Sequence, residues 1–302
     1  MQSKEDAMTN ACPLCCQPGK VLRKREAMDL SASYFTYFQS KLPDDIVRKY
    51  FLSPVIEFLC RKCAIRYYQP CNLGEGDFYD VLGKLFPWYY GSESWDKRAA
   101  FNYLKTLGKV RVVEVGCGTG AFLECLRDNK IECMGIDLNG KAVEEARAKG
   151  LAAYLPSQLP EVTCDVLCMF QTIEHVESPV SFLLDYIQQL RPINILLSAP
   201  CFESLLGHTS DPLSWPPHHA TCWSARAFRV LAERVNRKVI YVQYDSLDYR
   251  TFQDRQMREI SGRISGLPRL PPNRFGKLLF AILQSMGFNW SNRCHSIIVV
   301  MH

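Results

Sequence analysis

The sequence has no run of about 18 consecutive apolar residues, the minimum for a helix that crosses a membrane. Its most apolar candidate, around residues 278–283, is far shorter. The opening MQSKEDAMTN lacks the apolar core and small-residue cleavage site of an export signal, so the expectation is a cytoplasmic protein. Internal repeats and low-complexity tracts are missing too, which excludes solenoid and fibrous architectures. An excess of one charge is also lacking, since 36 Lys and Arg against 31 Asp and Glu leave a net charge of +5. That balance tolerates an anionic substrate without by itself pointing to nucleic acid. With no export expected, the 14 cysteines read as thiols and metal ligands and not as a disulfide framework.

What is present suits an ordinary globular chain. Hydrophobic residues make up 47% and charged residues 22%, enough to bury a sizeable core, and 302 residues allow about two domains. Three textures follow one another. Residues 1–75 hold six cysteines, with an aromatic stretch over 31–58 between two cysteine pairs. Residues 76–97 are rich in Gly, Pro and aromatics and read as a linker or lid of loops and short helices. From 98 to 302, β-branched runs alternate with helical spacing, which predicts an α/β domain: a Rossmann-like, seven-stranded, mostly parallel sheet with helices on both faces.

The expected strands are VRVVEV, IECMGIDL, a weak LAAYL, DVLCMF and INILLSAP, followed by VIYVQY and SIIVVM. SIIVVM is placed antiparallel at the sheet edge. Helices are expected at RAAFNYLKTL, GAFLECLRDN, KAVEEARAKG with a C-terminal glycine, and SPVSFLLDYIQQL with Ser178 as N-cap. A further helix opens at Ser224, and another is expected around FGKLLFAILQSM. That last helix is apolar and flanked by base; a core or lid position is preferred over a membrane surface.

The strongest motif, VVEVGCGTG over residues 112–120, joins a buried strand to a helix. Gly116 permits the sharp turn, Gly118 lets a ligand approach the backbone, and Gly120 allows the helix to pack on the strand. Gly116, Gly118 and Ala121 also fit a dinucleotide fold. Glu114, at the strand's end, tips the balance: it suits a ligand ammonium group and would repel a pyrophosphate. Asp137 in GIDL ends the second strand where an acid accepts hydrogen bonds from ribose hydroxyls.

VVEVGCGTG, GIDLN and QTIEHV, in that order, closely resemble successive motifs of class I S-adenosylmethionine-dependent methyltransferases, and the resemblance runs from about Phe101 to Ala199. It implies that the Gly116–Gly120 loop, with Cys117 and Gly118, lies beneath the cofactor and that Glu114 is near its methionyl amine. It places Asp137, with Leu138 beside it, at the ribose, Gln171 at the methyl donor, and Leu155 and Pro156 near the adenine.

Cys12-x-x-Cys15 and Cys60-x-x-Cys63 offer two thiolate pairs from tight turns, the donor set of a structural zinc site. The intervening residues 16–59 exceed the usual spacing and predict an inserted helical element over 31–37 and 46–51. Cys16 and Cys71 are spare thiols that leave ligand identity open, and a redox role for Cys12 and Cys15 is the weaker rival. A zinc module, an aromatic linker and a methyltransferase domain together resemble certain bacterial sugar and natural-product methyltransferases, in which the N-terminal module helps to cover the substrate.

For the chemistry, histidine is the expected general base. The candidates are His175 at the end of the fourth strand, and His219 and His218 in SWPPHHATCWS. By resemblance to the sugar-modifying relatives His219 matches best; Glu203 and His208 are weaker. Six arginines between 250 and 274 read first as a solvated face and second as contacts to a diphosphate. The leading expectation is methyl transfer to a small molecule such as a sugar, nucleotide-sugar or other biosynthetic intermediate. Behind it stand an RNA methyltransferase that grips RNA with its zinc module, a cofactor-binding scaffold without catalysis, and an NAD-dependent oxidoreductase. Nucleic acid ranks low because residues 1–75 lack a dense Lys/Arg stripe interleaved with exposed aromatics.

Overall fold

Each cysteine pair lies on a tight turn, and the chain between them folds into a strand, two helices and a second strand. The structure, a computed structural model, describes residues 10–87, 89–90, 94–202, 211–245, 278 and 296–302. Strand β1 (Lys20–Arg25) leads into helices α1 (Ala27–Phe38) and α2 (Asp44–Tyr50), the expected helical insertion. Strands β2 (Val55–Cys60) and β3 (Ile65–Gln69) form an antiparallel hairpin whose turn carries Cys60 and Cys63, and β1 pairs with β2. Glu57 is buried on β2 because Arg23 and Arg66 both pair with it.

Helix α3 (Gly76–Leu85) follows, and α4 (Trp95–Leu107) precedes the first strand of the large sheet. There follow β4 (Arg111–Val115), α5 (Ala121–Asp128), β5 (Glu132–Ile136), α6 (Gly140–Ala148) and the two-residue β6 (Ala153–Tyr154). After them come β7 (Val166–Phe170), α7 (Pro179–Leu190), β8 (Asn194–Pro200), β9 (Thr221–Cys222), α8 (Ala225–Arg234), β10 (Val239–Tyr244) and β11 (Ser296–Met301). The large sheet has the order β10-β11-β8-β7-β4-β5-β6. Strands β4 to β8 run parallel, and β11 is antiparallel to both neighbours.

Alternate residues of these strands point to two separate apolar layers, as a period of two requires. Val112, Val166, Leu196, Ile298 and Val300 pack under α4 and α5. Val113, Leu167, Leu197, Ile297 and Val299 pack under α7 and α8. Burial on both faces is why the strands read as unbroken apolar runs.

Two features depart from expectation. The antiparallel strand β11 is not at the edge: it sits between β8 and β10, and β10 is the edge strand. The burial explains it, since all six residues of β11 are buried whereas β10 is half exposed. The small sheet has the order β1-β2-β3-β9, so its fourth strand comes from the segment after β8. Arg66 and Tyr67 face Cys222 and Thr221 across that junction. Cys12, Leu14, Phe58 and Ile65 consequently share one apolar cluster with Trp223 and Phe228. The helix expected around FGKLLFAILQSM lies outside the described residues apart from Leu278, as do Glu203, His208 and the arginines between 250 and 274.

Three serines, Ser94, Ser178 and Ser224, occupy N-cap positions, but only Ser224 caps. Ser224, fully buried, accepts from Ala227 N at 3.0 Å and donates to Ala64 O at 2.5 Å, joining α8 to the turn of the small sheet. Ser178 makes no side-chain cap bond. Ser224→Ala should therefore cost about 1–2 kcal/mol, and Ser178→Ala close to nothing. Denaturant midpoints of the two variants check this.

Candidate active site

The C-terminal ends of β4, β5 and β7 meet where open α/β sheets bind ligands. At the end of β4, Glu114 is fully buried and neither carboxylate oxygen has a hydrogen-bond partner. Burial raises its pKa to about 7; the charges of Asp137 and Asp96 push the same way, and Lys97 opposes them. An uncompensated carboxylate in the interior is costly, and a cationic group beside it would offset that cost.

The turn that follows bends through positive φ at Gly116 (80°), Gly118 (54°) and Gly120 (83°). A Cβ on Gly116 would lie 2.2 Å from Thr172 Oγ1, and one on Gly120 would lie 2.4 Å from Leu151 Cδ1. Asp137 closes the loop from the end of β5: its Oδ2 accepts from Gly118 N at 2.7 Å and its Oδ1 from Asn139 N at 2.8 Å. Cys117 is buried against Gly135, while Leu138 stands exposed beside the loop.

Beyond β7, Gln171 adopts the left-handed region at φ 50°, an arrangement that favours glycine and is held here by its surroundings. Its N donates to Ser198 O at 3.1 Å, and its Nε2 donates to Asp96 Oδ2 at 3.2 Å and to Ser198 Oγ at 3.3 Å. Ser198 Oγ donates to the same Asp96 oxygen at 2.5 Å. Asp96 is buried at the start of α4. Nothing in its sequence neighbourhood marks it, because its partners come from β7 and β8.

The turn after Gln171 brings His175 to His218 and His219, and one ring nitrogen of each lies within 4.8 Å of the others. His175 Nδ1 is 2.6 Å from His218 O, and His218 Nδ1 is 2.8 Å from Leu213 O. A carbonyl can only accept, so both rings carry their proton on Nδ1 and keep the Nε2 lone pair. Burial lowers the pKa of His175 to about 4, against the raising effect of the His218 and Gln171 carbonyls. Burial, and then His175, hold His218 well below the ordinary value. Glu174 lies behind the rings. It is fully buried, neither of its oxygens has a hydrogen-bond partner, and its Oε1 is 4.0 Å from Nε2 of both His175 and His219.

A tyrosine roof covers both halves of the site. Tyr89 OH donates to His218 Nε2 at 2.7 Å, and Tyr79 OH is 3.2 Å from His175 Nδ1. The Tyr90 ring lies over Gly118, and its hydroxyl is 3.3 Å from Asn139 Nδ2. The same amide donates to Asp80 on α3 at 3.0 Å. Sequence reasoning named the three histidines, but neither Glu174, one residue before His175, nor the tyrosines in PWYYG.

Away from this crevice, Cys12, Cys15, Cys60 and Cys63 converge, with all four sulfurs within 4.8 Å of one another. Cys15 Sγ and Cys60 Sγ are 3.6 Å apart, close to the roughly 3.8 Å edge of a tetrahedron with 2.3 Å metal–sulfur bonds. Cys63 N donates to Cys60 Sγ at 3.4 Å. Cys16 and Cys71 stand outside the cluster.

A model of a methyltransferase domain matches residues 87–242, just over half of the chain. A protein of Mycolicibacterium smegmatis named as a probable S-adenosylmethionine-dependent methyltransferase is 32% identical over 137 residues, covering 42% of this chain and 52% of that protein. The mitochondrial ubiquinone biosynthesis O-methyltransferase of Schizosaccharomyces pombe is 27% identical over 109 residues, covering 32% of this chain and 39% of that protein. The chain thus spans about half the length, or less, of these curated relatives. Among solved structures, an S-adenosylmethionine-dependent methyltransferase from Archaeoglobus fulgidus matches with a TM-score of 0.49 at 16% identity, covering 74% of this chain and 99% of that one. From the glycine turn at the end of β4 to the order of the seven strands, and over the residues the domain model spans, the chain belongs to the methyltransferase-domain family.

Proposed function

We propose that this protein is a methyltransferase that moves the methyl group of S-adenosylmethionine to a small acceptor seated beneath the tyrosine roof. The observation that carries the reading is Glu114, a fully buried carboxylate without a partner beside a glycine turn. A ligand ammonium supplies what it lacks. The bound cofactor supplies an electrophilic methyl on a sulfonium. Asp137 would hold its ribose, the backbone of Gly116, Cys117, Gly118 and Gly120 would lie beneath it, and Gln171 and Leu138 would flank it. Asp96, which anchors the Gln171 amide, would act as a positioning residue.

In-line methyl transfer gains most from alignment. The acceptor's nucleophile, a hydroxyl or an acidic carbon, enters beside the histidines and loses its proton there, with His219 first among the three and His175 and His218 beside it. A neutral imidazole is what such a step needs, and burial keeps His175 and His218 in that form. Enclosure by Tyr79, Tyr89 and the His218–His219 turn favours a sugar, nucleotide-sugar or similar intermediate over an RNA strand. No disulfide joins the 13 described cysteines, which favours the cytoplasm. No helix among the described residues is long and apolar enough to cross a membrane. Zinc on Cys12, Cys15, Cys60 and Cys63 would pin the turns of the small sheet. The division into a zinc module (1–75), a lid (76–97) and a methyltransferase domain (98–302) is part of the same reading.

Glu114 gives a pH test. Its pKa near 7 means that the free site is protonated below neutrality, whereas an ammonium ligand requires the ionised form. Affinity for S-adenosylhomocysteine should be flat above about pH 7 and fall towards tenfold per pH unit below it. Glu114→Gln should weaken binding and remove that slope. Calorimetry across this range decides, and a flat profile in the wild type would overturn the assignment of Glu114. His219→Ala should lower turnover by about 10² to 10⁴ with cofactor affinity unchanged; full turnover in a panel of hydroxylated acceptors would remove the histidines from the chemistry. Cys60→Ser should release the tightly held zinc and lower the unfolding midpoint, as read by metal analysis and denaturation.

A further inference from the structure

The histidine cluster has a feature that base catalysis leaves unexplained. Glu174 is fully buried with no hydrogen-bond partner on either oxygen, yet its Oε1 faces Nε2 of His175 and of His219 at 4.0 Å each. Those distances are too long for hydrogen bonds. A carboxyl without partners and a group of imidazole nitrogens gathered in a water-poor space are costly unless a proton or a metal cation lies among them.

From this arrangement we infer that His175, His218, His219 and Glu174 form a binding site for a divalent first-row transition cation. Imidazole donors suit zinc, cobalt, nickel or iron, and disfavour magnesium and calcium, which prefer all-oxygen sites. The rings are already prepared as ligands. The His218 carbonyl holds the Nδ1 proton of His175 and the Leu213 carbonyl holds that of His218, as outer partners of metal-bound histidines do. The three ligand nitrogens, within 4.8 Å of one another, need to close to about 3.3 Å around a metal with 2.0–2.1 Å bonds. One lone pair is engaged: Tyr89 OH donates to His218 Nε2 at 2.7 Å. The cation therefore competes with the Tyr89 hydroxyl, and the roof senses whether the site is filled.

The inference deepens the proposed methyl transfer and rests on it only for where the acceptor enters. A cation there adds Lewis acidity beside the acceptor oxygen. His219 is then a ligand in the loaded protein and a base in the free one. The site is distinct from the four-cysteine cluster, which has thiolate donors only.

The test uses the full chain with its cysteine site first filled with zinc, then titrated with cobalt(II) by calorimetry and visible absorption. One further equivalent should bind saturably, giving weak d–d bands without thiolate charge transfer. His219→Ala should abolish it while S-adenosylhomocysteine still binds. Glu174→Gln should weaken it about tenfold or more, and it carries the test if His219→Ala fails to fold. Tyr89→Phe should tighten cobalt binding by removing the competitor. Saturable binding absent from the wild type, or unchanged in the histidine and glutamate variants, overturns the site. Loss of S-adenosylhomocysteine binding in the wild type would instead overturn the methyltransferase reading, so the two failures are separable.

Discussion

The pairing of β3 with β9 governs the molecule. Only two residues of β9 take part, but the strand lies in a segment hydrogen-bonded on several sides. Ala220 N donates to Glu174 O at 2.7 Å, Tyr68 N to Ala220 O at 3.2 Å, and Trp223 N to Pro200 O at 3.1 Å. The segment carrying His218 and His219 is thus clamped between the cysteine-bearing sheet and the end of β7. The N-terminal sheet holds from one side the histidine segment that Glu174 O and the His175 ring hold from the other. The small sheet therefore acts as one wall of the crevice, and its four-cysteine cluster sits behind that wall.

Charge placement in the crevice follows one physical rule. Two carboxylates, Glu114 and Glu174, are fully buried without hydrogen bonds, and two others, Asp96 and Asp137, are satisfied by amides or hydroxyls. The satisfied pair shapes backbone: Asp137 draws in the glycine turn, and Asp96 fixes the strained Gln171. The unsatisfied pair creates demand for positive charge at two places, one beside the glycine turn and one beside the histidines. The same chemical group organises structure where it is bonded and recruits ligands where it is not.

How much of this was legible in the sequence depends on the range of the interaction. The parallel strands, α4 to α8 and the helical insertion are local patterns of burial, and their residues announce them. The four cysteines are legible because two short spacings encode two turns. Glu114 and Asp137 are legible because each ends a strand at a fixed distance from the glycines. Strand β9 is not, since two residues carry no period and their partner lies about 155 positions earlier. The interior position of β11 is not legible because strand order is set by pairing across the sheet, although its five consecutive apolar residues from Ile297 to Met301 are a hint that both faces are covered. Asp96, Glu174 and the tyrosine roof depend on chain segments brought together only by folding.

Strand β11 fills a slot between β8 and β10, with residues 201–295 separating it from β8 in sequence. Closing so long an intervening stretch is an entropic barrier that no local contact offsets early. Until it is crossed, β8 presents an unpaired apolar edge and β10 has nothing to lie against, which is the condition in which sheets join the wrong neighbours. Growth of this sheet thus ends with an insertion and not an addition. The rate of acquiring native structure, and the time spent exposed to self-association, should be set at this one slot.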